Sequence, residues 1–383
     1  MGASGGRTDV VVYWENNAWR YGGVYRAGSG AQRLVIGDSW TSFINTWEDA
    51  SAVGLRLMTL KSHQAPSWRR ELDKALEGAM GYSYAIVEGG AVTASGGVGY
   101  ARSPSESTLP GQLMSSVTRV HLASVSKSIT AVALMELTER YPDVDLDDPF
   151  YPLVQAKYPT AGSGVANVTL RQLLTHRSGM PVKGYCGDNF HAEMSSLVAS
   201  NLVTTPGGAA QYSNGNYCLV RSVIESVSGM AYVDFVKTYV LAPMGITGMS
   251  CQPSTTLYYA KNSSSAGYFW NNDYTSQCGA YGWYGSANDL AKFLVGVRNH
   301  TVLSSSTTSI MNDGRIGWWG NDTSGGVALH HNGAWVTGDG RGCNTGIMRL
   351  PNGVEAVVLS NTHGFNTIGM MLTGYEAGPY SAE

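Results

Sequence analysis

The chain has 383 residues, of which 43% are hydrophobic and 14% are charged. This apolar fraction excludes a disordered chain. The formal net charge of −3 excludes a basic surface that could hold nucleic acid or an anionic membrane. No apolar run reaches the ~20 residues that span a bilayer, so we expect a globular protein with no nucleic-acid partner and no membrane-spanning segment.

Residues 1–66 predict a small separate module of β-β-α-β type. Residues 9–14 and 19–25 are β-prone runs on either side of a polar turn, and residues 55–60 form a further β-prone run. Residues 39–48 carry four large apolar side chains at i, i+3, i+4 and i+7, the spacing of an amphipathic helix. No residue of this module has an obvious chemical role, so we expect an accessory unit.

Residues 67–383 predict a second domain whose sheet is built from both ends of the segment. A double-glycine turn joins two strands near the beginning, and an Asn-Gly turn, the strongest short hairpin signal, joins two near the end. Helices are predicted between these two pairs. The predicted terminal elements are a helix at 68–79 and strands at 82–87, 92–100, 346–350 and 354–359.

One segment places a lysine three residues after a serine at the start of an apolar helix. Ser124 and Lys127 form the only S-x-x-K in the chain, and residues 129–137 are apolar on nearly every helix face. A serine hydroxyl needs a base to become a nucleophile. Burial can lower the pKa of a lysine enough to supply one. The alternative interpretation is a helix cap beside a surface lysine.

Two further motifs follow in the order of a known signature. Tyr212 and Asn214 form the only Y-x-N in the chain, and a His-Asn-Gly triplet begins at His331. S-x-x-K, Y-x-N and K/H-x-G are the motifs of the penicillin-recognising serine enzymes. Further matches lie at 145–149, 173–180 and 282–293. Over residues 68–365 the chain thus resembles class C β-lactamases, serine D-Ala-D-Ala carboxypeptidases, D-aminopeptidases and related esterases.

The resemblance implies a β-lactamase/transpeptidase-like fold of the α/β (α+β) class. In this fold a mostly antiparallel sheet is flanked by helices, with a helical subdomain expected at about residues 135–275. The resemblance also implies a serine hydrolase without a cofactor, acting on a small-molecule ester or amide or on a peptide. It implies no particular oligomeric state.

The third motif bears on the kind of hydrolase. His-Asn-Gly stands where efficient class C β-lactamases have K-T-G, so we favour an esterase, peptidase or amidase. A penicillin-binding protein or a β-lactamase is the alternative on the same fold. A catalytically idle binding or scaffold protein is the alternative of another class.

The resemblance gives each matched residue a role. Ser124 forms the acyl-enzyme, and Lys127 and Tyr212 form the proton-transfer pair, with the base in each half-reaction left open. Asn214 orients either the substrate amide or Lys127. The backbone N–H groups of Ser124 and Ala334 form the oxyanion hole.

The third motif is expected to form the wall opposite the nucleophile. His331 would contribute a hydrogen bond and a partial positive charge there. Because adjacent residues of a strand point to opposite faces, His330 and His331 do not suggest a metal site, and we expect none. His176 is expected to form structural hydrogen bonds. The expected substrate-lining residues, whose aromatic members core packing could equally explain, are Asn332, Gly333, Trp335, Trp283 and Tyr281.

Five cysteines allow at most two disulfides and leave one thiol. A bridge between Cys251 and Cys278 would constrain the long irregular segment between them. A Cys186–Cys218 bridge is a second hypothesis, and five free thiols are the alternative. Either bridge implies an oxidising compartment. We therefore expect a secreted or periplasmic protein. Because residues 1–6 lack the features of a signal peptide, we expect its leader to have been removed.

Overall fold

The structure is a computed structural model that describes residues 10–15, 18–26, 32–37, 61–62, 67–106, 110–262 and 266–377. The chain divides into two compact units, Met1–Lys74 with Gly374–Glu383 and Ala75–Thr373. Every residue of the predicted active site belongs to the second unit. Among the described helices, none combines the length and the apolarity that crossing a membrane requires.

The first unit contains a four-stranded sheet. Its strands are β1 (Val10–Glu15), β2 (Ala18–Arg26), β3 (Gln32–Gly37) and β4 (Lys61–Ser62). Their order is β3-β2-β1-β4, with β4 parallel to β1 and the other pairs antiparallel. The predicted strands at 9–14 and 19–25 are confirmed as β1 and β2. The predicted helix at 39–48 and strand at 55–60 lie outside the described residues.

No sequence pattern predicts β3. Its sequence, Gln-Arg-Leu-Val-Ile-Gly, places two polar residues before three apolar ones and does not alternate polar and apolar side chains. Its antiparallel pairing with β2, from Tyr21↔Gly37 to Arg26↔Gln32, defines it as a strand.

A mostly antiparallel sheet organises the second unit. The strands of this unit are β5 (Gly81–Glu88), β6 (Ala91–Arg102), β7 (Gln112–Leu113), β8 (Val120–His121), β9 (Tyr259–Ala260), β10 (Tyr284–Gly285), β11 (Trp319–Thr323), β12 (Gly326–Val336), β13 (Gly342–Arg349), β14 (Glu355–Ser360) and β15 (Thr362–His363). The order is β11-β12-β13-β14-β5-β6-β7; β9 and β15 also join this sheet, and β8 pairs separately with β10. Because β14 pairs with β5, the two ends of the segment meet inside one sheet, as predicted.

Helices fill the long connection between β8 and β9 and cover the sheet. The described α-helices are α1 (Ser67–Ala75), α2 (Ser126–Arg140), α3 (Tyr151–Val154), α4 (Leu170–Leu174), α5 (Phe190–Ala199), α6 (Asn214–Ser228), α7 (Tyr232–Val236), α8 (Ala287–Arg298), α9 (Ser305–Asp313) and α10 (Thr367–Ala377). Helix α1 ends before the predicted residue 79, because the chain turns at Gly78, whose φ is 85°.

Helix α2 is the buried centre of the second unit. All its residues from Ser126 to Leu137 are buried, as its all-round apolar pattern predicts. Helix α6 packs against α2, and α8 packs against β5 and β14. The short turn that precedes α2 packs against β12 and β13. The start of α2 therefore lies where the helical region meets the sheet.

Two disulfides are present, Cys186–Cys218 and Cys251–Cys278. Both hypotheses on cysteine pairing are confirmed, and the alternative of five free thiols is wrong. The remaining Cys343 is buried, and burial raises the pKa of its thiol to about 12. Its Sγ donates a weak hydrogen bond to His121 O at 3.4 Å.

Candidate active site

Ser124 lies on a 3-10 turn of three residues directly before α2. Its neighbour Ala123 has a φ of 48°, a left-handed conformation that is uncommon for a residue with a side chain. The Leu122 N–H donates to Trp283 O at 2.8 Å, and the Thr345 hydroxyl donates to Leu122 O at 2.8 Å. Hydrogen bonds from the sheet and from the segment before α8 thus fix the backbone beside Ser124.

Lys127 lies one helical turn after Ser124 and is completely buried, with 0% of its surface exposed. Its Nζ lies 3.1 Å from Ser124 Oγ, 2.6 Å from Asn214 Oδ1 and 2.8 Å from Ala280 O. Burial lowers the pKa of Lys127 well below its ordinary value, because desolvation penalises the ammonium form. The described residues place no carboxylate in hydrogen-bond contact with Nζ to offset this effect.

Tyr212 approaches the same serine from the helical region. Its hydroxyl donates to Ser124 Oγ at 2.7 Å, and Lys127 Nζ lies 4.9 Å from the centre of its ring. Loss of water around the hydroxyl raises the pKa of Tyr212 to about 12, and the hydrogen bond to Ser124 partly opposes this shift. The tyrosine is therefore a neutral hydrogen-bond donor at neutral pH.

Asn214 begins helix α6, and its amide is held in one orientation. Its Nδ2 donates to Gly184 O at 2.6 Å, so its Oδ1 faces Lys127 Nζ. The Cys186–Cys218 bridge joins the segment that carries Gly184 to the helix that Asn214 begins. Of the two roles expected for Asn214, the structure shows the contact with Lys127.

His331 lies beside Lys127 but differs from the expectation. Burial is the main cause that holds its pKa at about 3, and the nearby Lys127 contributes in the same direction. The ring is neutral, so it offers no full positive charge, and the partial charge expected of it is limited to the dipole of its N–H group. Its Nδ1 contacts Asn332 O at 2.8 Å, and only a protonated Nδ1 can donate this hydrogen bond.

His176 and His330 form hydrogen bonds within the structure. The Ser213 N–H lies 3.3 Å from His176 Nδ1, which accepts it, as the expected structural role requires. His330 Nε2 lies 3.1 Å from Asn321 Oδ1. Burial lowers the pKa of both histidines, to about 3 for His176 and about 4 for His330.

Gly333 allows strand β12 to approach the nucleophile closely. A Cβ at this position would stand 2.4 Å from Leu122 O, 2.4 Å from Thr345 Oγ1 and 3.0 Å from Ser124 N. Only glycine fits this spacing without movement of the backbone. Ala334, the expected second member of the oxyanion hole, follows at once and is exposed, as is Asn332.

The aromatic residues predicted to line the substrate site divide into two groups. Trp335 is partly exposed, and its ring stacks on that of Tyr281 with a centroid distance of 5.0 Å. Tyr281 is only 1% exposed, and its hydroxyl accepts from the Cys186 N–H. Trp283 is fully buried, and its Nε1 donates to Tyr232 OH. The lining role expected for Trp283 and Tyr281 is therefore wrong, and core packing explains both.

Two backbone groups of the site cannot be recognised from side-chain patterns in the sequence. The carbonyl oxygens of Ala280 and Gly184 bind Lys127 and Asn214, respectively. Any residue can supply a backbone carbonyl, so no side-chain pattern reveals them. The only signal in the sequence is closeness to a cysteine: Ala280 comes two residues after Cys278, and Gly184 comes two residues before Cys186.

The chain is similar to a known protein family and to several known proteins. A family model described as Beta-lactamase matches residues 68–376. Penicillin-binding protein 4* of Bacillus subtilis (strain 168) is 32% identical over 143 residues, which make up 33% of this chain and 29% of that protein. Across three curated relatives, this chain spans between 24% and 46% of their length.

Solved structures share the architecture. The octameric penicillin-binding protein homologue of Pyrococcus abyssi gives a TM-score of 0.67 at 22% identity, covering 80% of this chain and 76% of that chain. The D-stereospecific amidohydrolase of Streptomyces sp. gives a TM-score of 0.64 at 18% identity, covering 82% and 99% respectively. These likenesses confirm the β-lactamase/transpeptidase-like fold. Because the family model spans most of the chain, this protein belongs to the beta-lactamase family.

Proposed function

We propose that the protein hydrolyses an ester or amide bond, including peptide bonds, through an acyl-enzyme on Ser124. One observation carries the proposal: Lys127 Nζ and the Tyr212 hydroxyl both lie within hydrogen-bond distance of Ser124 Oγ, at 3.1 Å and 2.7 Å. This is the arrangement of a nucleophile with an adjacent base. The family to which the chain belongs supports it, since a structural relative is named as an amidohydrolase.

The hydrogen-bond partners of Lys127 Nζ favour Lys127 as the base. A neutral amine has two N–H donors and one lone pair. Lys127 Nζ has two carbonyl acceptors, Asn214 Oδ1 and Ala280 O, and one hydroxyl partner, Ser124. With both N–H groups donated to the carbonyl oxygens, the lone pair faces the Ser124 hydroxyl, and Tyr212 donates to Oγ from the other side.

In the proposed reaction, Ser124 Oγ attacks the substrate carbonyl carbon while its proton moves to Lys127 Nζ. The N–H groups of Ser124 and Ala334 would stabilise the resulting oxyanion. When the tetrahedral intermediate collapses, the bond to the leaving group breaks, and the leaving atom takes the proton from Lys127 through the Tyr212 hydroxyl. Water then attacks the acyl-enzyme by the same route, which releases a carboxylic acid and restores the serine.

The neutral His331 weighs against β-lactam hydrolysis as the main activity. At this position efficient class C β-lactamases carry a lysine, whose charge helps to hold the substrate carboxylate. A histidine with a pKa near 3 supplies no such charge at neutral pH. The alternative of a catalytically idle protein is also disfavoured, because burying a lysine without a carboxylate partner is costly and serves no purpose in an idle site.

We further propose that residues 67–383 form the hydrolase domain, that residues 1–66 form an accessory module, and that the protein works in a secreted or periplasmic setting. The two disulfides support an oxidising compartment.

A substrate panel tests the proposed function. Wild type, Ser124→Ala and the exposed helix control Ser196→Ala should be assayed on p-nitrophenyl esters, on D- and L-amino-acid anilides and on nitrocefin. We expect hydrolysis of at least one ester or anilide, a loss of kcat of about 10³-fold or more in Ser124→Ala, and no change in Ser196→Ala. Activity that survives in Ser124→Ala would refute the proposal.

A further inference from the structure

A cavity lies beside the catalytic residues, and no step of the proposed mechanism uses it. Its volume is about 180 Å³, and its wall comes from the segment after α4, the segment between α9 and β11, and single residues of α6 and β12. One water occupies only ~30 Å³ in the liquid, so the cavity has room for several heavy atoms. We call it the arginine cavity, after Arg177 and Arg315 in its lining.

Positive charge dominates the arginine cavity. Arg177 and Arg315 are both among its lining residues, whereas no aspartate or glutamate is. An arginine stays protonated at any physiological pH. The Arg177 guanidinium donates to Gly208 O, and neither arginine forms an ion pair with a residue that the structure describes. Both arginines are exposed, so the cavity offers two solvent-accessible cations with no counter-charge among its lining residues.

One buried donor in the lining is unsatisfied. Trp318 lines the cavity and is 4% exposed, and its indole Nε1 has no hydrogen-bond partner among the described residues. A buried donor that is left unpaired destabilises the folded state. An acceptor that enters the cavity from outside can provide the missing partner.

Two lining residues have an unusual backbone conformation. Arg315 and His176, which both line it, have φ values of 50° and 59°, in the left-handed region that non-glycine residues seldom occupy. Gly320 leaves space for the Arg315 guanidinium, since a Cβ there would stand 2.9 Å from Cζ. Strained residues with side chains concentrate at functional sites.

Part of the remaining lining is apolar. Leu174, Ala210, Tyr217 and Trp319 supply hydrocarbon and aromatic surface next to the arginines. This combination suits an anion with a short apolar chain better than inorganic phosphate, and the planar guanidinium fork matches the two oxygens of a carboxylate. We propose that the arginine cavity binds a small organic carboxylate.

A carboxylate bound in the arginine cavity would change the pKa of Lys127. This consequence rests on the proposed function. The titratable groups that face Lys127 are Tyr212, Tyr217, His176 and His331, and the last three line the cavity. A carboxylate against these side chains favours the ammonium form of Lys127 and so raises its pKa. The ammonium cannot accept the proton of Ser124, so the ligand inhibits, most strongly at low pH. The carboxylic acid that the reaction releases belongs to the same ligand class.

Thermal unfolding of the full chain tests binding without any need for activity. Sodium butyrate, acetate or phosphate is titrated while sodium chloride holds the ionic strength constant. Butyrate should raise the Tm saturably and bind about tenfold more tightly than acetate, because it buries two more methylenes at about 0.8 kcal/mol each. Arg315→Gln and Arg177→Gln should each weaken butyrate binding at least about tenfold. The control Arg102→Gln, whose side chain donates to Pro110 O and Thr255 O, should not.

The outcomes separate this inference from the proposed function. Wild-type butyrate affinity in both cavity variants, an equal loss in Arg102→Gln, or phosphate binding as tight as butyrate would overturn the carboxylate site. If the Tm shift behaves as expected but no ester or amide is hydrolysed, the site stands and the proposed function fails. If hydrolysis is present, butyrate should inhibit it more strongly in wild type at low pH than at high pH, and a pH-independent inhibition would refute the effect on Lys127.

Discussion

The protonation state of Lys127 is decided by its surroundings rather than by its position in a motif. The sequence predicts that a lysine follows Ser124 on an apolar helix, and the structure adds complete burial and two carbonyl acceptors. Those acceptors come from Asn214 and from the backbone of Ala280, which lie 87 and 153 residues away along the chain. Motif spacing could predict the first contact through the family resemblance, but nothing in the sequence indicates the second.

Replacing Asn214 by aspartate tests the role of Lys127 as the base. In wild type, kcat/KM should rise with pH as Lys127 loses its proton, with an apparent pKa well below the ordinary value for lysine. A carboxylate at the position of Oδ1, which is 2.6 Å from Nζ, stabilises the ammonium and raises this pKa. The acid limb of the profile should move to higher pH by about 1–3 units.

The readout is the pH dependence of kcat/KM on a neutral ester for wild type, Asn214→Asp and the exposed control Asn201→Asp. Loss of the hydrogen bond from Asn214 to Gly184 O lowers the height of the profile but not the position of its limb. An unmoved limb in Asn214→Asp would contradict the assignment of Lys127 as the base, and Asn201→Asp should match wild type.

At the scale of elements, the sheet was more predictable than the packing of its strands against the nucleophile. Turn signals and alternation predict β5, β6, β13 and β14, because both hairpins contain glycine turns. They do not show that β12 comes close enough to the Ser124 turn for Gly333 to be required. Closeness to the matched motifs made Trp283 and Tyr281 candidates for lining the substrate site, but an aromatic side chain near a motif can equally belong to the core, as both do here.

Gly333→Ala tests this close approach. The added Cβ would lie 2.4 Å from the carbonyl oxygen of Leu122, so either the strand or the nucleophile turn must shift. Because displacement of a reacting group by about 1 Å can cost 10²-fold, we expect kcat/KM to fall by about that factor. The matched control is Gly338→Ala, where a Cβ meets nothing within 4 Å. Kinetics and Tm of both variants should be compared; wild-type kinetics in Gly333→Ala would show that the approach is not needed.

At the scale of the whole molecule, local patterns predicted that both ends of residues 67–383 belong to one sheet, and the structure shows how they pair. Strand β14 pairs with β5, which brings residues 355–360 onto 82–87; the turn signals do not define the partner strands or the register of this long-range contact. The structure of the first unit is less predictable, because short strands such as β3 are defined by their partners. The long irregular segment between Cys251 and Cys278 suggested that bridge, but the sequence could not decide between the two hypothetical bridges and five free thiols.

The two disulfides should contribute strongly to stability. Cys186–Cys218 and Cys251–Cys278 span 32 and 27 residues, and loops of this size correspond to about 3 kcal/mol each in the chain-entropy treatment. Cys251→Ser with Cys278→Ser should lower the free energy of unfolding in urea by about that amount. Non-reducing peptide mapping should recover both bridges and one thiol, at Cys343. Five alkylatable thiols in secreted protein would argue against both bridges and against the proposed compartment.

The central claim is that Ser124 is the nucleophile, and mapping a covalent adduct tests it most directly. The full chain is treated with a fluorophosphonate, and the modified peptide is identified by mass spectrometry. We predict a single adduct on Ser124, absent from Ser124→Ala and formed much more slowly in Lys127→Ala, because the base lies 3.1 Å from the hydroxyl. An adduct on any other serine, or undiminished labelling of Ser124→Ala, would contradict the account.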